Sequence, residues 1–162
     1  MTASHSFPME RLDALLTEAV REACLLESAL EREITALSGR DLDALSEAVA
    51  RKHQVAQTLE GLTQAQTALL RAGGFAADGS GMDACLRDWD HEGVTRPRWN
   101  RLQEVMERCR HLNQVNGGVV QIQQQQVQQA IQILRGGEAR TELYDPRGRT
   151  VSDGPSRHIS KA

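Results

Sequence analysis

The chain has 162 residues, a formal net charge of −3 and only 3% aromatic residues. Its charges are of mixed sign along the chain, almost all the positive ones are arginines, and it has too few rings for base stacking, so it does not read as a nucleic-acid binder. No uninterrupted apolar run reaches the ~18 residues of a membrane span, and Glu10, Arg11 and Asp13 stand where a signal peptide needs an apolar core; the expected setting is cytoplasmic, without membrane insertion.

Ala, Leu, Glu, Arg and Gln dominate, the composition of a long-helix or coiled-coil protein. Cys24, Cys85 and Cys109 are odd in number and far apart, which suggests neither a disulfide framework nor a zinc site but small apolar core residues in a reducing compartment. Residues 1–7 read as frayed. Pro8 opens a first helix, about 8–37, with Leu12, Leu16, Ala19, Ala23, Leu26, Leu30, Ile34 and Leu37 as its apolar stripe. Ser38-Gly39 stops it and Asp41 caps a second helix, about 42–71. So short a connection predicts an antiparallel hairpin. Leu42, Leu45, Val49, Lys52, Ala56, Leu59, Leu62 and Leu69 mark the inner face of the second helix, with Lys52 as a snorkelling exception. Gly73-Gly74 and Gly79-Ser80-Gly81 mark a flexible linker. Within it, Met82 to Trp89 can form a short helix that covers the open end of the bundle.

Thr95-Arg96-Pro97 signals the start of a long third helix, about 96–135, that stops at Gly136-Gly137. Trp99, Leu102, Met106, Cys109, Asn113, Asn116, Val120, Gln123, Val127, Ala130 and Leu134 recur at alternating three- and four-residue steps, a heptad seam. This helix would be about 58 Å long, against roughly 45 Å for each of the first two. It should pack along the first helix, run toward the loop at Ser38 to Asp41 and overshoot it after Gln124, unless Gly117-Gly118 kinks it. Residues 138–162 hold two turn signals, around Pro146 and Pro155, and read as a flexible tail. The expected fold is therefore all-α: an elongated antiparallel bundle of three long helices, coiled-coil-like, over 1–137, with a short linker helix and a flexible C-terminal tail.

No nucleophile elbow, phosphate loop or paired-histidine metal motif is present. Asp88, Asp90, His91 and Glu92 lie together on the linker, without the second cluster a metal site needs. His53, on a helical bundle, raises a histidine phosphotransfer domain, but Gln54-Val55-Ala56-Gln57 lacks the pattern of such sites. The expectation is no catalytic residue, metal or cofactor, and hence no enzyme. The glutamines from Gln121 to Gln132 are broken at helical spacing by Ile122, Val127, Ala130 and Ile131, which predicts a helix with an uncharged solvent face. Such a face is cheaper to desolvate than a charged one and suits intermittent cover by a partner. Asn113 and Asn116 are either a register device or hydrogen-bonding groups for that partner.

Asn113-x-x-Asn116-Gly117, an apolar-glutamine helix, a Gly-rich break, and then Tyr144 with Gly148 together resemble the C-terminal part of the FlgN family. Glu31 and Glu33 before Gly39-Arg40-Asp41-Leu42, and then Lys52, are also similar to that family. The resemblance covers nearly the whole chain; Tyr144-Asp145 departs from the Tyr-Gly frequent in the family's tail. It implies a flagellar type III export chaperone without ATPase activity. Such a protein would bind the hook-filament junction proteins FlgK and FlgL by their C-terminal helical ends, keep them unassembled and bring them to the flagellar export apparatus. The client-binding set expected here is Asn113, Asn116, Gly117, Val120, Gln123, Val127, Ile131, Leu134, Tyr144 and Gly148. The competing readings are a structural coiled coil that only homo-oligomerises and the phosphotransfer domain at His53.

Overall fold

The computed structural model describes residues 6–134. It contains α1 (Met9–Gly39), α2 (Leu42–Ala72), α3 (Gly79–Trp89) and α4 (Arg96–Leu134), and no strand among the described residues. The all-α class follows from the helical periodicity; α1 and α2 begin and end within two residues of the expected positions and α4 begins at the expected Arg96, while its expected end at 135 lies outside the described residues. The chain divides into two compact units after Ile122. The first holds α1, α2, α3 and α4 up to Ile122. The described part of the second, 123–134, is the remainder of α4 and is helical throughout. The expected tail, 138–162, lies outside the described residues.

In the first unit α1 buries one continuous face, with Leu12, Leu16 and Ala23 fully enclosed and Leu30 and Leu37 nearly so. It ends one residue later than its glycine suggests. Gly39 is the last helical residue, and Arg40 takes the left-handed conformation at φ 53°. The Asp41 N–H then bonds to the Ala36 carbonyl and the Arg40 N–H to that of Leu37, which satisfies the free carbonyls of the last turn. Asp41 caps α2 as expected, its Oδ1 accepting from the Ala44 N–H at 3.0 Å.

The inner face of α2 keeps Leu59 of the expected stripe buried and Leu45, Val49, Lys52, Leu62 and Leu69 half-buried, but three of its most enclosed positions, Ala48, Val55 and Leu70, lie one residue away from that stripe. Ala48, Val55, Leu59, Gln66 and Leu70 are buried, whereas Ala56 is exposed and Leu42 is 77% exposed. Apolar residues at both Val55 and Ala56 leave the phase open in sequence, and packing against α1 chooses Val55. Gly79, Ser80 and Gly81 belong to the first turn of α3 and not to a flexible linker. Asp78 caps that turn, accepting from the Gly81 N–H at 2.9 Å. A Cβ on Gly81 would meet the Ala76 carbonyl oxygen at 1.8 Å, so only glycine fits this turn. Met82, Cys85 and Leu86 are buried. The start of the chain, expected to fray through residue 7, is instead anchored at Phe7. That ring is 6% exposed, stands edge-on to Phe75 and lies 6.3 Å from the Trp89 ring. One ring with two aromatic neighbours contributes more burial than the local sequence around it suggests.

The hydroxyl of Thr95 does not cap α4. It donates to Asp13 of α1, and Asp13 also accepts from Arg98. The free N–H groups at this helix start go to the Asp90 carboxylate, which accepts from Val94, Thr95 and Arg96. The acidic linker thus supplies the cap. α4 packs parallel to α1 with a steady register: Asp13 to Arg98, Glu27 to Arg108, Ala23 to Cys109 and Leu30 to Asn116. Packing along the first helix, toward the loop at Arg40, is the arrangement the sequence predicted.

Candidate functional site

In the first unit the face α4 turns to the core runs through Leu102, Val105, Cys109, Leu112, Asn116 and Val119. Three- and four-residue steps alternate, as expected, but every second position differs from the seam read in sequence. Val105 is fully enclosed where Met106 was expected, and Met106 is 38% exposed. Likewise Leu112 is half-buried while Asn113 is exposed, and Val119 is half-buried while Val120 is exposed. The helix carries apolar side chains on both flanks of a shared line, Leu102, Cys109 and Asn116. α1 covers one flank. Met106, Asn113 and Val120, each seven residues apart, form the other.

Asn116 ties α4 to α1 and, through Glu33, to Lys52 of α2. It is 3% exposed, and its Nδ2 donates to the Leu30 carbonyl at 3.0 Å and to Glu33 Oε2 at 2.9 Å. Glu33 Oε1 accepts from Lys52 Nζ at 2.7 Å. Lys52, the exception on the α2 stripe, therefore does not merely snorkel; it answers a buried carboxylate of α1 that in turn holds α4. A polar group at a seam position meets its partners in one register only, which is how a buried asparagine specifies alignment.

Between α2 and α4, above α1, lies an open groove of about 700 Å³. Leu26 and Leu30 form its floor, Lys52, His53 and Ala56 one wall, and Met106, Arg110 and Asn113 the other. Toward α3 the same walls enclose a second cavity of about 280 Å³ lined by Gln66, Leu70, Met82, Trp99 and Leu102; Gln103 and Met106 belong to both. Gln66 Nε2 and Trp99 Nε1 are buried without a hydrogen-bond partner. Sequence reading did not single out Gln66; the available signal was a glutamine at an inward-facing step of α2, four residues before Leu70.

From Leu112 to Leu134 α4 carries no charged residue. Val120 is 38% exposed and Ile131, in the second unit, 42%. Val115 and Ile122 are exposed as well. Gly117 is exposed, and a Cβ there would meet nothing, so close packing does not require that glycine. Val127 and Leu134 lie on the helix, but their side chains are outside what the structure describes; Tyr144 and Gly148 lie outside the described residues altogether. Of the expected client-binding set, the first unit thus brings Asn113 and Val120 to one flank and turns Asn116 inward.

Cys85 and Cys109 are buried, and burial pushes each thiol up to about 11. Cys24, read as a core residue, is exposed. Among the described residues no group of three His, Cys, Asp or Glu side chains is placed to hold a metal ion, and no helix is long and apolar enough to cross a membrane.

A family model described as FlgN protein matches residues 9–152. No curated protein and no solved structure matches the chain. The match runs from the first residue of α1 through all four helices, and it includes the Asn116–Glu33–Lys52 junction and the uncharged half of α4. The chain belongs to the FlgN family.

Proposed function

We propose that this chain is a flagellar export chaperone that binds the C-terminal helical ends of the hook-filament junction proteins FlgK and FlgL. It holds them unassembled in the cytoplasm and brings them to the type III export apparatus. Family membership supports the chaperone class. The observation that carries the client surface is the uncharged stretch from Leu112 to Leu134 with Val120, Ile122 and Ile131 exposed on it. An apolar side chain left in water forgoes roughly 1.5–3 kcal/mol of burial, and a run of them marks an interaction surface. Subunits whose ends order only on assembly expose amphipathic segments that aggregate, and a helix laid against a helical face covers them without covalent chemistry.

In this reading Asn113, Val120, Gln123, Val127, Ile131 and Leu134 touch the client. Asn116 works from beneath, fixing the register in which α4 presents its flank, and Gly117 leaves backbone open beside it. Tyr144 closes over the client's outer end, and Gly148 belongs to the same client-binding segment. The test is binding of the C-terminal helical peptide of FlgK by isothermal titration. Val127→Asp and Leu134→Asp should abolish binding while the circular dichroism melt is unchanged, because each places an unpaired carboxylate in the covered interface. Leu26→Asp, at the floor of the bundle, should unfold the protein and lose binding for that reason alone. Full affinity in both α4 variants would place the client elsewhere.

A further inference from the structure

Apolar burial alone distinguishes the two flanks of α4 only weakly. The flank turned inward is Val105, Leu112 and Val119, and the flank left outside is Met106, Asn113 and Val120. They differ in kind at one pair, Leu112 against Asn113. Turning the helix by about 50° about its axis, half the angle between successive residues, exchanges the flanks and still presents a heptad seam. The ion pairs Arg98–Asp13 and Arg108–Glu27 resist such a turn only a little, because they lie on the partly exposed rim.

The Asn116–Glu33–Lys52 junction is of another kind. Asn116 and Glu33 are both buried. Asn116 bonds to the Leu30 carbonyl at 3.0 Å and to Glu33 at 2.9 Å, and Lys52 bonds to Glu33 at 2.7 Å. The same turn would carry a side-chain end ~5 Å from the helix axis sideways by roughly 4 Å, which breaks both Asn116 bonds. The junction is also costly to keep. Asn116 Oδ1 is an acceptor buried without a donor, and a buried ion pair seldom outdoes apolar side chains of the same volume. A polar group that adds little net stability yet fits one alignment only acts as a selector, as a buried asparagine does in a coiled coil.

We propose that Asn116, Glu33 and Lys52 are positioning residues for client binding: they hold α4 in the roll that keeps Met106, Asn113 and Val120 outside. This rests on the chaperone reading above and deepens it. Glu33 and Lys52 act without touching the client, Lys52 through Glu33 and Glu33 through Asn116. Without the junction α4 divides between two rolls, and the molecules that bury Met106 and Val120 present no client flank in the first unit.

The experiment uses the full chain and the C-terminal helical peptide of FlgK. Replacing the whole junction, by Glu33→Met, Lys52→Met and Asn116→Leu together, should leave the melting temperature unchanged or raised, because the buried polar groups go together. Peptide affinity should nevertheless fall by at least about threefold, the loss that follows when the competent roll drops to roughly a third of the molecules. Thiol labelling reads the roll itself. In a Cys24→Ser background, where the other two cysteines are buried, Met106→Cys should label at least about tenfold faster than Val105→Cys. The junction replacement should narrow that ratio; an unchanged ratio, or unchanged affinity in the folded triple variant, would overturn the proposal. If the triple variant fails to fold, Glu33 decides alone. Glu33→Gln keeps an acceptor for Asn116 and should bind as the unaltered chain does, whereas Glu33→Met should weaken binding; equal affinities would overturn the positioning role. Lys52→Met should lose its effect on affinity in an Asn116→Leu background; an effect that persists would mean that Lys52 touches the client and would overturn its place here. No binding by the unaltered chain would overturn the chaperone reading and this proposal together, whereas intact binding in the junction replacement overturns this proposal alone.

Discussion

At the scale of single residues, Asn116 decides more than its size suggests. Its two hydrogen bonds reach the Leu30 carbonyl and Glu33, and Glu33 has Lys52 as its other partner. Replacing Asn116 by leucine keeps the volume but removes one of the two partners of the buried Glu33 carboxylate, together with a second hydrogen bond to the Leu30 carbonyl, which keeps its helical one. We expect Asn116→Leu to cost about 1–3 kcal/mol in urea unfolding, although leucine is the more apolar residue. Conversely, a variant as stable as the unaltered chain would mean that water reaches this junction.

At the scale of the element, the phase of α4 is the point at issue. A helix with apolar side chains on both flanks of a line can roll by one position and still present a heptad seam. The structure places Val105 at zero exposure and leaves Met106 at 38%. Val105→Asp should therefore unfold the bundle, because it buries an unpaired charge, while Met106→Asp should melt like the unaltered protein. Circular dichroism at increasing temperature separates the two. Equal melts would mean that the seam runs through Met106 after all.

At the scale of the whole first unit, acid strength of the Glu27–Arg108 pair contributes a pH dependence. The Arg108 hydrogen bond holds the Glu27 carboxyl below its ordinary value of 4.5, outweighing the opposing effect of burial. A group depressed in the folded state adds stability above its unfolded pKa and loses it as pH falls through the folded one. The pair is partly exposed, with Arg108 44% open to solvent, so screening keeps the contribution small. Glu27→Gln should lower the urea midpoint at neutral pH and converge with the unaltered protein once the carboxylates protonate. A constant gap across that range would assign the effect to packing instead.

The sequence by itself determined the three long helices, where they start and the family, because periodicity and breaks are local and act through the backbone. It singled out Lys52 and Asn116 as polar residues on apolar stripes, without showing that Glu33 unites them. Phase was beyond it wherever apolar residues stand side by side, at Val55 and Ala56, at Val105 and Met106, because either choice satisfies the helix and only the neighbour's shape excludes one. For the same reason the anchoring of Phe7, the turn of Thr95 toward Asp13 and the groove between α2 and α4 were illegible. Each depends on groups far apart in the chain, and only the packed tertiary structure decides which of them meet.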